Sequence, residues 1–234
     1  PRGVEYFRLQ RTPPHGSPVV VTTSIERTLM LEHVPGWLGV LLRNVRAGAS
    51  KLTIVDPALG SFDSLDLASL AFADGQRLPD RFTADGEGVS PPLHWRGVPA
   101  GATSLALIVE DPDAPAAQPL VHAILWDIAA ADGQLAEGAI RPDGDGDAIH
   151  GDVGRNSYLR EGWLPPDPPT GHGEHRYAFQ LFALKDAPHL DPNPGRSAVV
   201  EAMAGRVLAA GLLTGVYSRG EPAEVGPVGA TAPA

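Results

Sequence analysis

The stretch Ser104–Ile128, SLALIVEDPDAPAAQPLVHAILWDI, decides how the rest of the chain is read. It holds two apolar runs, Ser104–Val109 and Leu120–Ile128, each the length of a buried strand. Between them lies Glu110-Asp111-Pro112-Asp113-Ala114-Pro115. Acids at the end of a buried strand cost desolvation energy unless something pairs with them, and prolines remove donors and stiffen the turn. A rigid acidic corner is the expected result. Two-residue alternation along the second run puts His122, Ile124, Trp126 and Ile128 on one face, so His122 is expected among large apolar groups. Corner and strand together read as one wall of a pocket.

Composition narrows what surrounds this wall. A chain of 234 residues is long enough for a substantial core, and its 27 glycines and 24 prolines suit short strands joined by tight turns. The expected class is mainly β. There is no cysteine, which removes disulfides, thiolate nucleophiles and cysteine metal sites. The net charge of -10 is uneven, with seven Lys/Arg against four Asp/Glu in residues 1–60 and 11 against 24 afterwards. Such an acidic body repels a phosphate backbone, so nucleic acid is not an expected partner. No apolar window is long enough to span a bilayer, and a soluble, by default cytoplasmic, protein is expected.

Working outward, residues 1–22 read as a loose arm, and Thr23-x-x-Glu26 fits a capping box opening a helix. Ile25, Leu29, Trp37, Leu38, Leu41, Leu42 and Val45 follow at helical spacing, with Pro35 splitting the helix in two and Gly48 stopping it. These helices pack on their own domain or form a homodimer interface. Lys51–Val55 and Leu65–Phe72 read as strands, Arg155–Gly173 as a proline-dense loop rimming a cavity. His175–Leu184 reads as a strong strand with His175, Tyr177, Phe179 and Leu181 on one face. A helix is expected from Arg196 to Ala210, stopped by Gly211, and a last strand over Leu212–Tyr217. The domain plan is an arm and helical extension over 1–60, a β-sandwich over 61–220 and a disordered tail over 221–234.

Four segments carry a resemblance to a known family: FTADGEGVSPPLHWRGVPAG (Phe82–Gly101), SLALIVEDPDAP (Ser104–Pro115) with VHAILWDI (Val121–Ile128), GHGEHRYAFQLFAL (Gly171–Leu184) and VLAAGLLTGVYSR (Val207–Arg219). In this order they resemble the phosphatidylethanolamine-binding proteins, in their bacterial Raf-kinase-inhibitor-like branch. The resemblance implies a mainly β, PEBP-like antiparallel β-sandwich with a few peripheral helices, to which this chain adds its N-terminal helical extension. It implies a cavity for an anionic or phosphate-bearing ligand, with ligand-binding residues at Asp111, Asp113, Pro115, His122, His175 and Tyr177. In some relatives it also implies inhibition of another enzyme. The chain departs from the family at Glu174, usually apolar or proline, which adds a negative charge beside the anion site. It departs again at Pro165, where glycine is common.

The same residues admit two chemistries. As a binding protein, Asp111 accepts from one imidazole nitrogen, fixes the tautomer and leaves the other nitrogen facing the ligand. As a small-molecule isomerase, cyclase or lyase, Asp111 orients His122 or His175 as acid or base with Tyr177 as a second proton donor. No nucleophile motif is present, so no catalytic residue is assigned and binding is the primary expectation. No cofactor or metal is expected. His172-Gly-Glu-His175 sends neighbouring ligands to opposite faces, and Asp143-Gly-Asp145-Gly-Asp147 lacks the glycine and bidentate acid of a calcium loop, with Ala148 and Gly154 in their places.

Overall fold

The computed structural model describes residues 36–143, 151–187 and 189–219. The N-terminal arm, the helix expected from Thr23, the 221–234 tail and most of the aspartate-glycine loop after Asp143 lie outside the described residues. Among the described residues there are two α-helices, α1 Gly36–Leu42 and α2 Arg196–Met203. Ten strands follow the order β1 Asp63–Ser64, β2 Asp66–Ala68, β3 Gln76–Arg77, β4 Leu93–Arg96, β5 Ser104–Asp111, β6 Leu120–Ala129, β7 Gly133–Leu135, β8 Asp152–Val153, β9 His175–Leu184 and β10 Val207–Tyr217.

The strands form two sheets. The large one runs β1-β10-β9-β5-β6-β8 with β3 also on β10, and the small one runs β2-β4-β7. All pairings are antiparallel except the short β1 and β3, which lie parallel to β10. Between the sheets sits one core, with Leu67, Trp95 and Leu135 facing Leu107, Leu125, Phe179 and Leu213. A second core lies on the other face of the large sheet, where Ile108, Ile124, Phe182 and Leu184 pack under Leu59 and the α2 residues Val199, Val200 and Met203. β5 is buried at every position because both of its faces are covered.

Several local expectations are corrected. Lys51–Val55 is not a strand but a pair of 3₁₀ turns, Ala49–Lys51 and Thr53–Val55. The amides of Thr53 and Ile54 go to the side chains of Glu110 and Gln180, so no neighbouring strand is needed to satisfy them. The expected strand Leu65–Phe72 shortens to β2, and Leu70 is exposed while Phe72 is buried. The helix expected to reach Ala210 ends at Met203. Gly205, at φ 65, turns the chain into β10, whose first residue Val207 still fills the core under α2. α1 ends at Leu42, short of Gly48.

β6 also departs from plain alternation. Val109 pairs with Ala123 and Glu110 with Val121, which leaves His122 as an extra residue. Leu105 pairs with Ile128 and Leu107 with Leu125, a second insertion that includes Asp127 at φ 55. Each insertion switches faces. Ile128 therefore joins Leu125 between the sheets and Ile124 lies in the opposite core, so His122, Ile124 and Ile128 do not share one face as alternation predicts.

Candidate functional site

Antiparallel pairing brings the C-terminal end of β5 beside the N-terminal ends of β6 and β9. Asp111 ends β5, His122 sits in the first bulge of β6, and His175 and Tyr177 open β9 on its inter-sheet face. With Ala114, Pro115 and Leu120 they line a narrow cavity of about 20 Å³, rimmed by Tyr158, Leu164, Pro165, Asp167, Pro168 and Pro169. Five of the six residues named from sequence therefore meet in one place. A wider groove of about 540 Å³ crosses the small sheet past Leu70, His94, Trp95 and Gln134, but it contains none of the unpartnered buried polar atoms.

Asp113 is the sixth, and it does not line the cavity. Its Oδ2 accepts from the amide and Nε of Arg176 at 2.9 and 2.7 Å. Its Oδ1 accepts from Arg176 Nη2 at 2.8 Å and pairs with Arg46 Nη1 at 2.9 Å. Burial alone pushes the carboxyl up, but the hydrogen bonds and charge of Arg176, with the bond from Arg46, outweigh it and hold it at about 2. This residue staples the acidic turn to β9.

Asp111 is equally committed. Oδ1 accepts from the amides of Asp113 and Ala114 at 2.7 and 3.1 Å, closing the turn, and Oδ2 lies 2.7 Å from His175 Nδ1. The far nitrogen of His175 does not face the cavity, contrary to the expectation from sequence. It lies 2.7 Å from His172 Nδ1, and His172 Nε2 reaches the carbonyls of Leu42 at 2.8 Å and Val45 at 3.3 Å. Carbonyls only accept, so His172 Nε2 carries hydrogen. The chain Asp111–His175–His172 then needs three protons, one more than a carboxylate and two neutral rings supply. Burial and the charge of His175 push His172 down.

His122 is held differently. Its Nδ1 lies 2.6 Å from the Leu164 carbonyl, and the Leu164 amide donates to the His122 carbonyl at 2.8 Å, so the rim is laced to the bulge from both sides. The ring packs edge-on against Tyr177, 5.0 Å between centroids at 84°. Burial pushes His122 down, and the charge of Asp111 and the Leu164 carbonyl do not restore it. Burial pushes the Tyr177 phenol well above its usual range, with Asp111 and Asp167 adding to the effect. His122 Nε2 and the Tyr177 hydroxyl are both buried without a hydrogen-bond partner. Of the two imidazoles named from sequence, only His122 offers a nitrogen to the cavity.

The rim is fixed by charge. Arg219 Nη1 pairs with Asp167, and its Nε with Asp85 at 2.7 Å, while the Tyr217 hydroxyl also donates to Asp85 at 2.6 Å. Sequence reasoning anticipated a rim in Arg155–Gly173 from length and proline density, but it did not find Leu164, Asp167 or Arg219. A main-chain carbonyl that orients an imidazole leaves no trace in side-chain type. Glu174 is exposed, does not line the cavity, and offers its carbonyl to Arg46 at 2.9 Å, so the expected charge beside the site is absent from the lining. Among the described residues no group of three or more His, Asp or Glu could hold a metal ion.

The matched family covers this cavity and every strand from β3 to β10. The phosphatidylethanolamine-binding protein family matches over residues 68–218. The chain belongs to it. The UPF0098 protein of Methanothermobacter thermautotrophicus is 43% identical over 157 residues, 67% of this chain and 100% of that protein. A Mycobacterium tuberculosis protein bearing a lipoprotein name, LppC, is 38% identical over 172 residues, 70% of this chain and 81% of its own length. The crystal structure of Escherichia coli YbcL, described as a member of the mammalian PEBP family, superposes with a TM-score of 0.61 at 30% identity, covering 66% of this chain and 98% of that one. Membership supports a ligand-binding role. No helix among the described residues is long and apolar enough to cross a membrane. α1 and the turns before β1 lie outside the family match.

Proposed function

We propose that the cavity at the end of the large sheet binds a small ligand through an anionic or phosphate-bearing group. Asp111, Pro115, His122, His175 and Tyr177 form its walls, and Asp113 holds the turn. The observation that carries this reading is the pair of unpartnered buried atoms, His122 Nε2 and the Tyr177 hydroxyl, both on lining residues. Leaving a buried polar atom unpaired costs about 1–3 kcal/mol, and such atoms mark places where a ligand or water supplies the missing bond. At about 20 Å³ the cavity is large enough for a water or two, so a phosphate-sized group requires the Leu164–Pro169 rim to move outward.

Calorimetric titration with inorganic phosphate and with phosphoethanolamine tests the assignment. Binding by the unmodified chain should weaken about tenfold or more in His122→Ala and in Tyr177→Phe, the loss expected for one buried hydrogen bond. Unchanged affinity in both variants would show that the ligand sits elsewhere.

A further inference from the structure

Resting on that reading, we propose that the cavity selects oxyacid groups that still carry a proton, phosphate or a phosphate monoester as the monoanion, over fully ionised oxyanions such as sulfate. The argument starts at one hydrogen bond. The Leu164 carbonyl, 2.6 Å from His122 Nδ1, can only accept, so Nδ1 holds the hydrogen and Nε2 of the neutral ring is a bare lone pair. That lone pair is buried and unpartnered in a residue only 1% exposed. Burial also favours the neutral ring over the imidazolium.

The groups around His122 do not change this sign. Asp111 comes from β5, His175 and Tyr177 from β9, and Tyr158 and Asp167 from the rim. Both ring nitrogens of His175 are spent, on Asp111 and on His172. No lysine or arginine lines the cavity, and Arg219, which pairs with Asp167, is not a lining residue. A fully ionised oxyanion would therefore meet the Nε2 lone pair with no lysine or arginine in the lining to offset it. A P–OH group donates to His122 Nε2 instead, while an unprotonated oxygen of the same phosphate accepts from Tyr177, whose phenol burial keeps protonated. The monoanion itself binds with no change in its covalent bonds. Above the second ionisation of a phosphate monoester, at about pH 6, binding takes up one proton, shared between the phosphate oxygen and Nε2.

The full chain is titrated at pH 6, 7 and 8 with phosphoethanolamine, inorganic phosphate and sulfate, in two buffers of different ionisation heat. The expected result is uptake of close to one proton at pH 8 and an affinity for the monoester that falls about tenfold per pH unit above about 6. Sulfate should bind about a hundredfold more weakly than phosphate at pH 8, the order of a hydrogen bond replaced by facing acceptors. His122→Gln, whose amide can donate, should erase both the proton uptake and the discrimination. Tighter phosphoethanolamine than phosphate identifies a lipid-type headgroup as the source, and the reverse identifies free phosphate; either supports the selection. Equal binding of sulfate and phosphate at pH 8 without proton uptake overturns it and leaves the anion site standing. If none of the three binds at millimolar concentration, the site reading itself fails.

Discussion

Asp113 and His122 both lose protons more readily in the folded state than in the unfolded chain, so both contributions are lost in acid. The carboxyl of Asp113 falls from its usual 3.8 to about 2 on folding, so its contribution is complete above that usual value and is lost as pH falls through about 2. The shift corresponds to about 2 kcal/mol. Urea unfolding between pH 5 and 2 should show this loss, and Asp113→Asn should abolish it while lowering stability at pH 7 by a similar amount. For His122 the folded ring resists a proton that the unfolded chain takes up below about 6.5, so stability is complete above that pH and is lost as pH falls. His172, pushed down by burial and by His175, adds to the same limb. His122→Gln should flatten the slope of unfolding free energy between pH 7 and 5.5. An unchanged slope would mean that the ring is charged in the folded state.

At the level of elements, the described part of the N-terminal extension, from residue 36 onward, is fastened to the cavity wall. The amides of Ala47 and Gly48 donate to Ala114 and Pro112 of the acidic turn, and Arg46 reaches Asp113 and the Glu174 carbonyl. α1 lies so close to the rim that a Cβ at Gly39 would stand 2.2 Å from the Thr170 carbonyl. Gly39→Val should therefore lift α1 from the rim. Hydrogen exchange should then speed up across Thr170–Glu174, where His172 loses its carbonyl partners, while β10 keeps its protection. Equal exchange in the variant would show that the extension does not support the wall. The elements also show where alternation fails as a guide. It places His175 and Tyr177 correctly because β9 pairs in unbroken register around them. It misplaces His122 and Ile128 because each extra residue in β6 exchanges the two faces, and a bulge has no fixed residue type.

Taken as a whole, the molecule has two cores on one sheet, and each should matter independently. Phe179 is fully buried between the sheets and Phe182 under α2. Replacing either with alanine should cost about 3–5 kcal/mol by chemical denaturation, and Leu212→Ala, at a half-exposed position, should cost far less. A small loss for Phe182→Ala would mean that the α2 face does not contribute a core. The buried acid Glu110 spans this second core, accepting from Thr53, Gln180 and Arg196, and so ties the turns before β1 and α2 to the large sheet.

The sequence by itself determined the class, the family and the strands β5, β6 and β9. Uninterrupted apolar runs and a proline-stiffened acidic corner are local properties of the chain, and the resemblance of its segments to the family grouped Asp111, Pro115, His122, His175 and Tyr177. Tertiary structure alone decided which nitrogen each imidazole shows to the cavity. His175 closes on His172, whose ring reaches carbonyls 127 and 130 residues away in sequence. His122 is turned by a carbonyl 42 residues downstream, and so presents a lone pair. Hydrogen-bond polarity at a buried ring depends on main-chain atoms brought from distant segments, and residue type does not encode their positions.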